Sequence, residues 1–199
     1  MGSQAARKFA DAVSRVQLIR DTATDKRLRP LARDKARILL HASLAGYVAS
    51  WEAYLEWLVR EFFQITADPL TTNFHAIHSL LRDHSTESLN QFNTPHADNA
   101  RNLLIEYTGF DPYPVWIWPA RHLNGVQVRE RLAEILKVRH SFAHGFAMPS
   151  YTWNTSTTGQ ARLTWDILSM TEKFFSNLVR RTDVGMRAHV QTTYGRVLY

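Results

Sequence analysis

The stretch richest in chemistry is Leu136-Lys-Val-Arg-His-Ser-Phe-Ala-His-Gly145. On a helix, successive residues turn by about 100°, so His140 and His144 sit about 40° apart and Arg139 about 140° from His144. All three can then reach one cleft at the C-terminal end of that helix. Arginine keeps its charge and forks onto phosphate oxygens, while histidine titrates near neutral pH and moves protons. Such a set needs no metal. On spacing alone, however, the plainer reading is preferred: a surface helix end whose cations complement the helix dipole.

Other candidates carry less. His75 and His78, with His84 nearby, have the side chains of a metal site, but no third or fourth ligand is evident, so no metal is expected. Glu52 and Glu56 lie one turn apart. They are candidate carboxylates for orienting Arg139 or a histidine, against the simpler reading of an exposed pair or a salt bridge to Arg60. Trp116 and Trp118 have faces on which bases stack, although core packing suits them better. The run Arg33-Asp-Lys-Ala-Arg37 reads as a solvated face, with guidance of RNA as the lesser alternative.

The composition narrows the classes. The chain has 199 residues, 45% of them hydrophobic and 21% charged, enough for a core and within the range of one domain. There is no cysteine, which removes disulfides, thiolate metal sites and cysteine nucleophiles. Twenty-four Lys and Arg against 18 Asp and Glu leave a net charge of +6, a modest bias towards polyanions such as RNA or DNA. No apolar run approaches a membrane span, and the first twenty residues lack the apolar stretch of a signal peptide. A cytoplasmic location is expected, with no membrane partner and no cofactor.

The positioning elements read as helices. Phe9, Val13, Val16 and Ile19 form one stripe over Ala5 to Arg20, and Arg27 to Pro30 breaks it. A long second helix runs from Leu31 to about Thr66. Its Leu44, Val48, Trp51, Leu55, Leu58 and Phe62 recur at alternating spacings of four and three, and Tyr47, Tyr54, Trp57 and Phe63 widen the face. A face this wide has room for a second helix or a second subunit, and Gly46 with Ser50 allows close approach of another helix. Asp68-Pro69 stops it. Thr71 to Arg82 predicts a short helix, followed by a polar, irregular stretch from His84 to Asn93. Thr94-Pro95 predicts the next helix start and Gly109 its end. Asn124 caps the helix that carries Arg139, and Gly145 ends it. Leu163, Trp165 and Ile167 alternate, which makes a short β-hairpin near residues 150–167 a candidate. A last helix is expected from about Asp166 to Arg181. The fold class is therefore all-α: an antiparallel bundle of about five to six helices in one domain, with its core over about 31–182.

The segment Arg139-His-Ser-Phe-Ala-His144-Gly resembles the Arg-polar-x3-His signature of HEPN domains (higher eukaryotes and prokaryotes nucleotide-binding). Ser50-Trp-Glu-Ala-Tyr-Leu-Glu56 on the long helix is similar to the corresponding helix of the RiboL-PSP branch. So are Phe92-Asn-Thr-Pro95, the following helix with Gly-Phe-Asp-Pro112, and the Trp116/Trp118 segment. The resemblance spans about Leu31 to Gly145. It implies a helical bundle that dimerises and cuts RNA without metal, with two Arg/His sets sharing one cleft. Arg139 then takes the place of the family arginine, His140 that of the polar residue after it, and His144 that of the family histidine. Implied with it are a homodimer, RNA as substrate, a role as toxin or phage-defence effector, and an antitoxin or regulatory protein as candidate partner. One departure stands out. Some family toxins carry a tyrosine two residues after the histidine, whereas this chain has Phe146, so control by modification of a tyrosine there is not expected. Two other readings stay open: a catalytically silent HEPN domain that binds RNA, nucleotide or protein, and a helical module that binds another chain through its aromatic face.

Overall fold

The computed structural model describes residues 2–24, 33–67 and 72–197. The polar break at Arg27 to Pro30, the start of the second helix at Leu31, the Asp68-Pro69 stop and the helix start at Thr71 lie outside the described residues. Among those described, the chain is an all-α bundle: α1 (Gln4–Thr24), α2 (Arg33–Thr66), α3 (Thr72–Gln91), α4 (Ala97–Thr108), α5 (Gly125–Ala143) and α6 (Trp165–Tyr194), with two 3₁₀ turns at Tyr113–Val115 and Pro119–Arg121. No described helix is long and apolar enough to cross a membrane.

The long aromatic helix is the axis. α2 touches every other helix of the bundle, and Leu44, Tyr47, Val48, Trp51, Tyr54, Leu55, Leu58, Val59, Phe62 and Phe63 are all buried. Its wide face is therefore largely used within the chain. Burying tryptophan and tyrosine requires partners for their polar ends. Trp51 Nε1 donates to the Pro95 carbonyl at 3.1 Å, and Trp116 Nε1 to Thr182 Oγ1 at 2.8 Å. Trp116 packs edge-on to Trp51, with ring centroids 5.9 Å apart, and Trp118 packs on Phe174. Both tryptophans before α5 are thus core anchors.

Gly46 does what its spacing with Ser50 suggested. α1 crosses α2 there, and a β-carbon on Gly46 would fall 2.6 Å from Val16 Cγ2. The first turn of α1 is held by side chains from elsewhere. Gln4 N–H and Ala5 N–H donate to the buried Glu61 carboxylate, and Ser3 N–H to Asp183.

Four expectations need correction. The β-hairpin is absent among the described residues: a single isolated bridge joins Thr155 and Ala161. Thr164 caps α6 by accepting from Ile167 N–H, so Trp165 and Ile167 belong to the first turn of a helix, and three alternating residues do not distinguish the two states. The loop is instead organised by buried Asn154, which donates to the Pro149 carbonyl and accepts from Tyr151 N–H. The stretch from His84 is helical to Gln91, because Ser85 and Leu89 are buried and both His84 and Ser88 meet the Tyr107 hydroxyl of α4. α4 is capped two residues later than expected, by His96 accepting from Asn99 N–H, since the Pro95 carbonyl is committed to Trp51. α6 continues beyond Arg181 to Tyr194, burying Thr182, Asp183, Met186 and Val190 on one stripe.

Candidate active site

α5 begins with the expected cap, in fact a full capping box: Asn124 Oδ1 accepts from Gln127 N–H and the Gln127 side chain accepts from Asn124 N–H, both at 3.0 Å. Val128, Leu132, Ile135 and Val138 are buried, which fixes the rotation of the helix and sends Arg139 and His140 outward. The far end is closed by a Schellman turn. Phe146 N–H donates to the Ser141 carbonyl at 2.7 Å and Gly145 N–H to the Phe142 carbonyl at 3.2 Å. Gly145 has φ +69°, the left-handed region that glycine enters without steric penalty. This turn folds Phe146 back beside the histidines. The His140 and His144 rings have centroids 4.1 Å apart, and Phe146 lies 6.2 and 5.9 Å from them.

Arg139 and His140 line a cleft of about 800 Å³ between α5, α2 and the segment leading into α4. His144 does not line it. It stands at the helix end, exposed, against His140. Glu52 of α2 does line the cleft. Burial pushes its carboxyl above the usual carboxylate range and the Glu56 charge adds to this, while Arg139 pulls it back down. Arg139 itself lines the cleft and forms no hydrogen bond or ion pair among the described residues. Glu56 is outside the cleft. Burial raises its pKa as well and the Arg60 charge lowers it, but it is half-buried and no salt bridge joins the two among the described residues. The structure thus brings Arg139, His140, His144 and Glu52 together and leaves Glu56 aside.

Two of the three other candidate histidines have hydrogen-bond partners. His78 is buried with Nε2 3.0 Å from Thr66 Oγ1, and His84 Nδ1 meets Tyr107. His75 is exposed. Among the described residues no three His, Asp or Glu side chains are grouped to hold a metal ion. Lys35 and Arg37 are exposed on α2.

Two features near the site were not read from the sequence. His41 of α2 stacks on Phe142 with ring centroids 4.0 Å apart and planes within 6°. It is buried and its Nδ1 has no hydrogen-bond partner; burial lowers its pKa and Arg37 lowers it further. The second is the other end of the cleft, lined by Lys137, Arg129 and Tyr113. Arg129, Ala133, Leu136 or Lys137, and His140 recur at helical spacing, a stripe that could have been found from the sequence had Arg129 been counted with the signature. Comparison with protein-family models, curated proteins and solved structures found no match to the chain.

Proposed function

We propose that the protein is a metal-independent endoribonuclease of the HEPN type, acting by 2′-hydroxyl attack to leave 2′,3′-cyclic phosphate and 5′-hydroxyl ends. The observation that carries this reading is an arginine without an ion pair and an imidazole, Arg139 and His140, lining one cleft, with the second imidazole of His144 packed against the first at its edge. An imidazole takes the proton of the 2′-hydroxyl, and the 2′-oxygen forms a bond to the adjacent phosphorus. Arg139 holds the non-bridging oxygens as their negative charge grows. The bond to the 5′-oxygen breaks, and that oxygen leaves with a proton from a second acid. Glu52, next to Arg139, supports the orientation of the fork.

This reaction also favours a second copy of the chain. Attacking and leaving oxygens stand on opposite sides of the phosphorus in an in-line displacement. Two imidazoles in contact with each other stand on one side, so they cannot serve both ends. A homodimer that brings two signature helices to a common cleft supplies the missing side. Phe142 and Phe146, 42% and 65% exposed at the end of α5, provide apolar surface for such a contact. A role as toxin or phage-defence effector in the cytoplasm, restrained by an antitoxin or regulatory protein, is part of the same proposal and rests on the resemblance of the signature segment.

The deciding experiment incubates purified wild type and His144→Ala with RNA in EDTA and analyses the ends produced. Cleavage by wild type with cyclic phosphate ends, lost in His144→Ala, is expected. Binding of RNA without cleavage by wild type would replace this reading with that of a silent RNA-binding domain. Products with 3′-hydroxyl ends, or dependence on added Mg²⁺ or Mn²⁺, would replace the mechanism.

A further inference from the structure

The cleft does not end at the signature. It continues along α5 towards the N-terminal part of that helix, where Arg129 and Tyr113 form its wall. Arg129 and Arg139 are ten residues apart on one helix, about 15 Å along its axis. The Arg129 guanidinium carbon lies 4.4 Å from the centre of the Tyr113 ring, and Arg101 lies 4.7 Å from that same centre. Arg129 thus rests against the tyrosine ring, a favourable cation–π contact.

Two of the nearby carboxylates are hydrogen-bonded to other residues, although the Arg129 charge also acts on Asp111. Asp111 receives both Nε and an Nη of Arg101, at 3.0 and 2.6 Å, and the Arg101 bond holds its carboxyl below the usual range. Asp98 accepts the Tyr113 hydroxyl proton at 2.5 Å. Glu130 is exposed beside Arg129 on α5, and no ion pair or hydrogen bond joins Arg129 to any described residue. A guanidinium that is preordered on an aromatic face and lacks a hydrogen-bond acceptor is a fork waiting for an anion.

Two such forks on one helix, with Lys137 between them, are separate positive points along a cleft that Glu52, Asp98 and Glu130 also line, and a strand that carries charge at regular intervals can meet both. Their separation is several times the ~3.4 Å rise between successive phosphates on a stacked strand, so a few nucleotides fit between them. A cleft of about 800 Å³ is the size that encloses a drug-sized molecule. It takes a few splayed nucleotides, and it does not take a duplex, whose recognition proceeds over an outer surface. Between the forks, Ala133, Leu136 and Pro95 offer an apolar wall to base faces.

We propose that Arg129 is a second phosphate clamp, and that the cleft along α5 holds a single-stranded RNA segment running between Arg129 and the Arg139/His140 end. The proposal rests on the ribonuclease reading and adds to it the strand state and the path of the substrate.

The test uses the full chain and a fluorescent single-stranded RNA carrying 2′-O-methyl at the mapped cleavage position, so that binding is read without cutting. Arg129→Gln should bind this RNA about tenfold more weakly, the scale of one lost charge-assisted contact. Its log–log salt slope should fall by about 0.7, the value for one phosphate on a single strand. Shortening the RNA from one end, but not the other, should erase the difference between wild type and Arg129→Gln. Arg129→Lys, which keeps the charge and the stem against Tyr113, should keep the salt slope and recover part of the affinity. A matched duplex should bind with no dependence on Arg129. Equal affinity of Arg129→Gln and wild type for the long RNA, an equal loss on every truncation, or the same dependence with duplex would overturn the clamp. In each of those cases continued cleavage by wild type leaves the ribonuclease reading intact, whereas a wild type that neither binds nor cuts RNA removes both.

Discussion

Replacing Gly145 by alanine should shift His144 and Phe146 relative to His140 at a defined cost. The residue has φ +69°, and a β-carbon built there meets nothing within 4 Å. Crowding therefore contributes nothing, and the whole effect is backbone strain. An L-residue held in the left-handed region costs roughly 1–2 kcal/mol, and the turn can relax only by weakening the bonds from Gly145 and Phe146 to the last carbonyls of α5. For a chain of this size about 1 kcal/mol moves the melting midpoint by roughly 2–4 °C. Asparagine tolerates the left-handed region better, so Gly145→Asn should melt between wild type and Gly145→Ala. Activity should fall further than stability. A misplacement of about 1 Å in a catalytic group can cost on the order of 10²-fold, and the turn sets where His144 and Phe146 lie relative to His140. The assay pairs thermal melting with RNA cleavage on the same preparations. If Gly145→Ala melts like wild type, or Gly145→Asn costs as much as alanine, the strain argument is wrong. If the midpoint falls while the cleavage rate holds, the turn does not position the imidazoles.

Four further outcomes are expected. Arg139→Ala should lower RNA cleavage by at least ~10²-fold, and Arg139→Lys should recover little of it because an ammonium lacks the planar fork; single-turnover rates check this. The buried His41 has a pKa below the ordinary 6.5, so the unfolded chain binds more protons in the window just under that value, and stability is lost as pH falls through it. Denaturant midpoints from pH 7 to pH 5 should therefore drop in wild type, and His41→Phe, which retains a ring for Phe142 and cannot be protonated, should flatten the profile. Gly46→Ala places a β-carbon 2.6 Å from Val16 Cγ2 and should cost about 1–3 kcal/mol by overpacking, read as a lower denaturant midpoint with cleavage per folded molecule unchanged. Sedimentation of wild type at micromolar concentration should give a dimer, and a strict monomer would remove the shared-cleft mechanism.

What the sequence revealed and what it hid follow from how local each signal is. The stripe of α2 was legible because buried aromatics at alternating spacings of four and three have no other regular arrangement. Asn124 and Gly145 were legible because cap chemistry acts within a few residues. The helix over His84 to Gln91 was hidden, since its own residues are polar and its reason for being helical is Tyr107 on α4. The cap of α4 was displaced by a hydrogen bond from Trp51, 44 positions earlier. At the site, Arg139 and His140 were readable as a motif. The distinction between Glu52 and Glu56 was not, because which carboxylate meets Arg139 depends on how α2 and α5 pack. The helical spacing of Arg129 with the signature was legible, but its contact with Tyr113 and its place in the cleft were not, because they depend on how the segment before α5 packs.

The first turn of α1 has a consequence for hydrogen exchange. The opening amides of a helix have no partner inside it and ordinarily exchange with solvent at once. Here Ser3 N–H is bonded to Asp183, Gln4 and Ala5 N–H to Glu61, and Ala6 N–H to Ser3 Oγ. Both carboxylates are buried and belong to other helices. Deuterium can therefore reach the Ser3, Gln4 and Ala5 amides only when α1 lifts away from α2 and α6. Their protection reports the free energy of that opening rather than local fraying, which makes the start of this chain a built-in gauge of how firmly its first helix is docked.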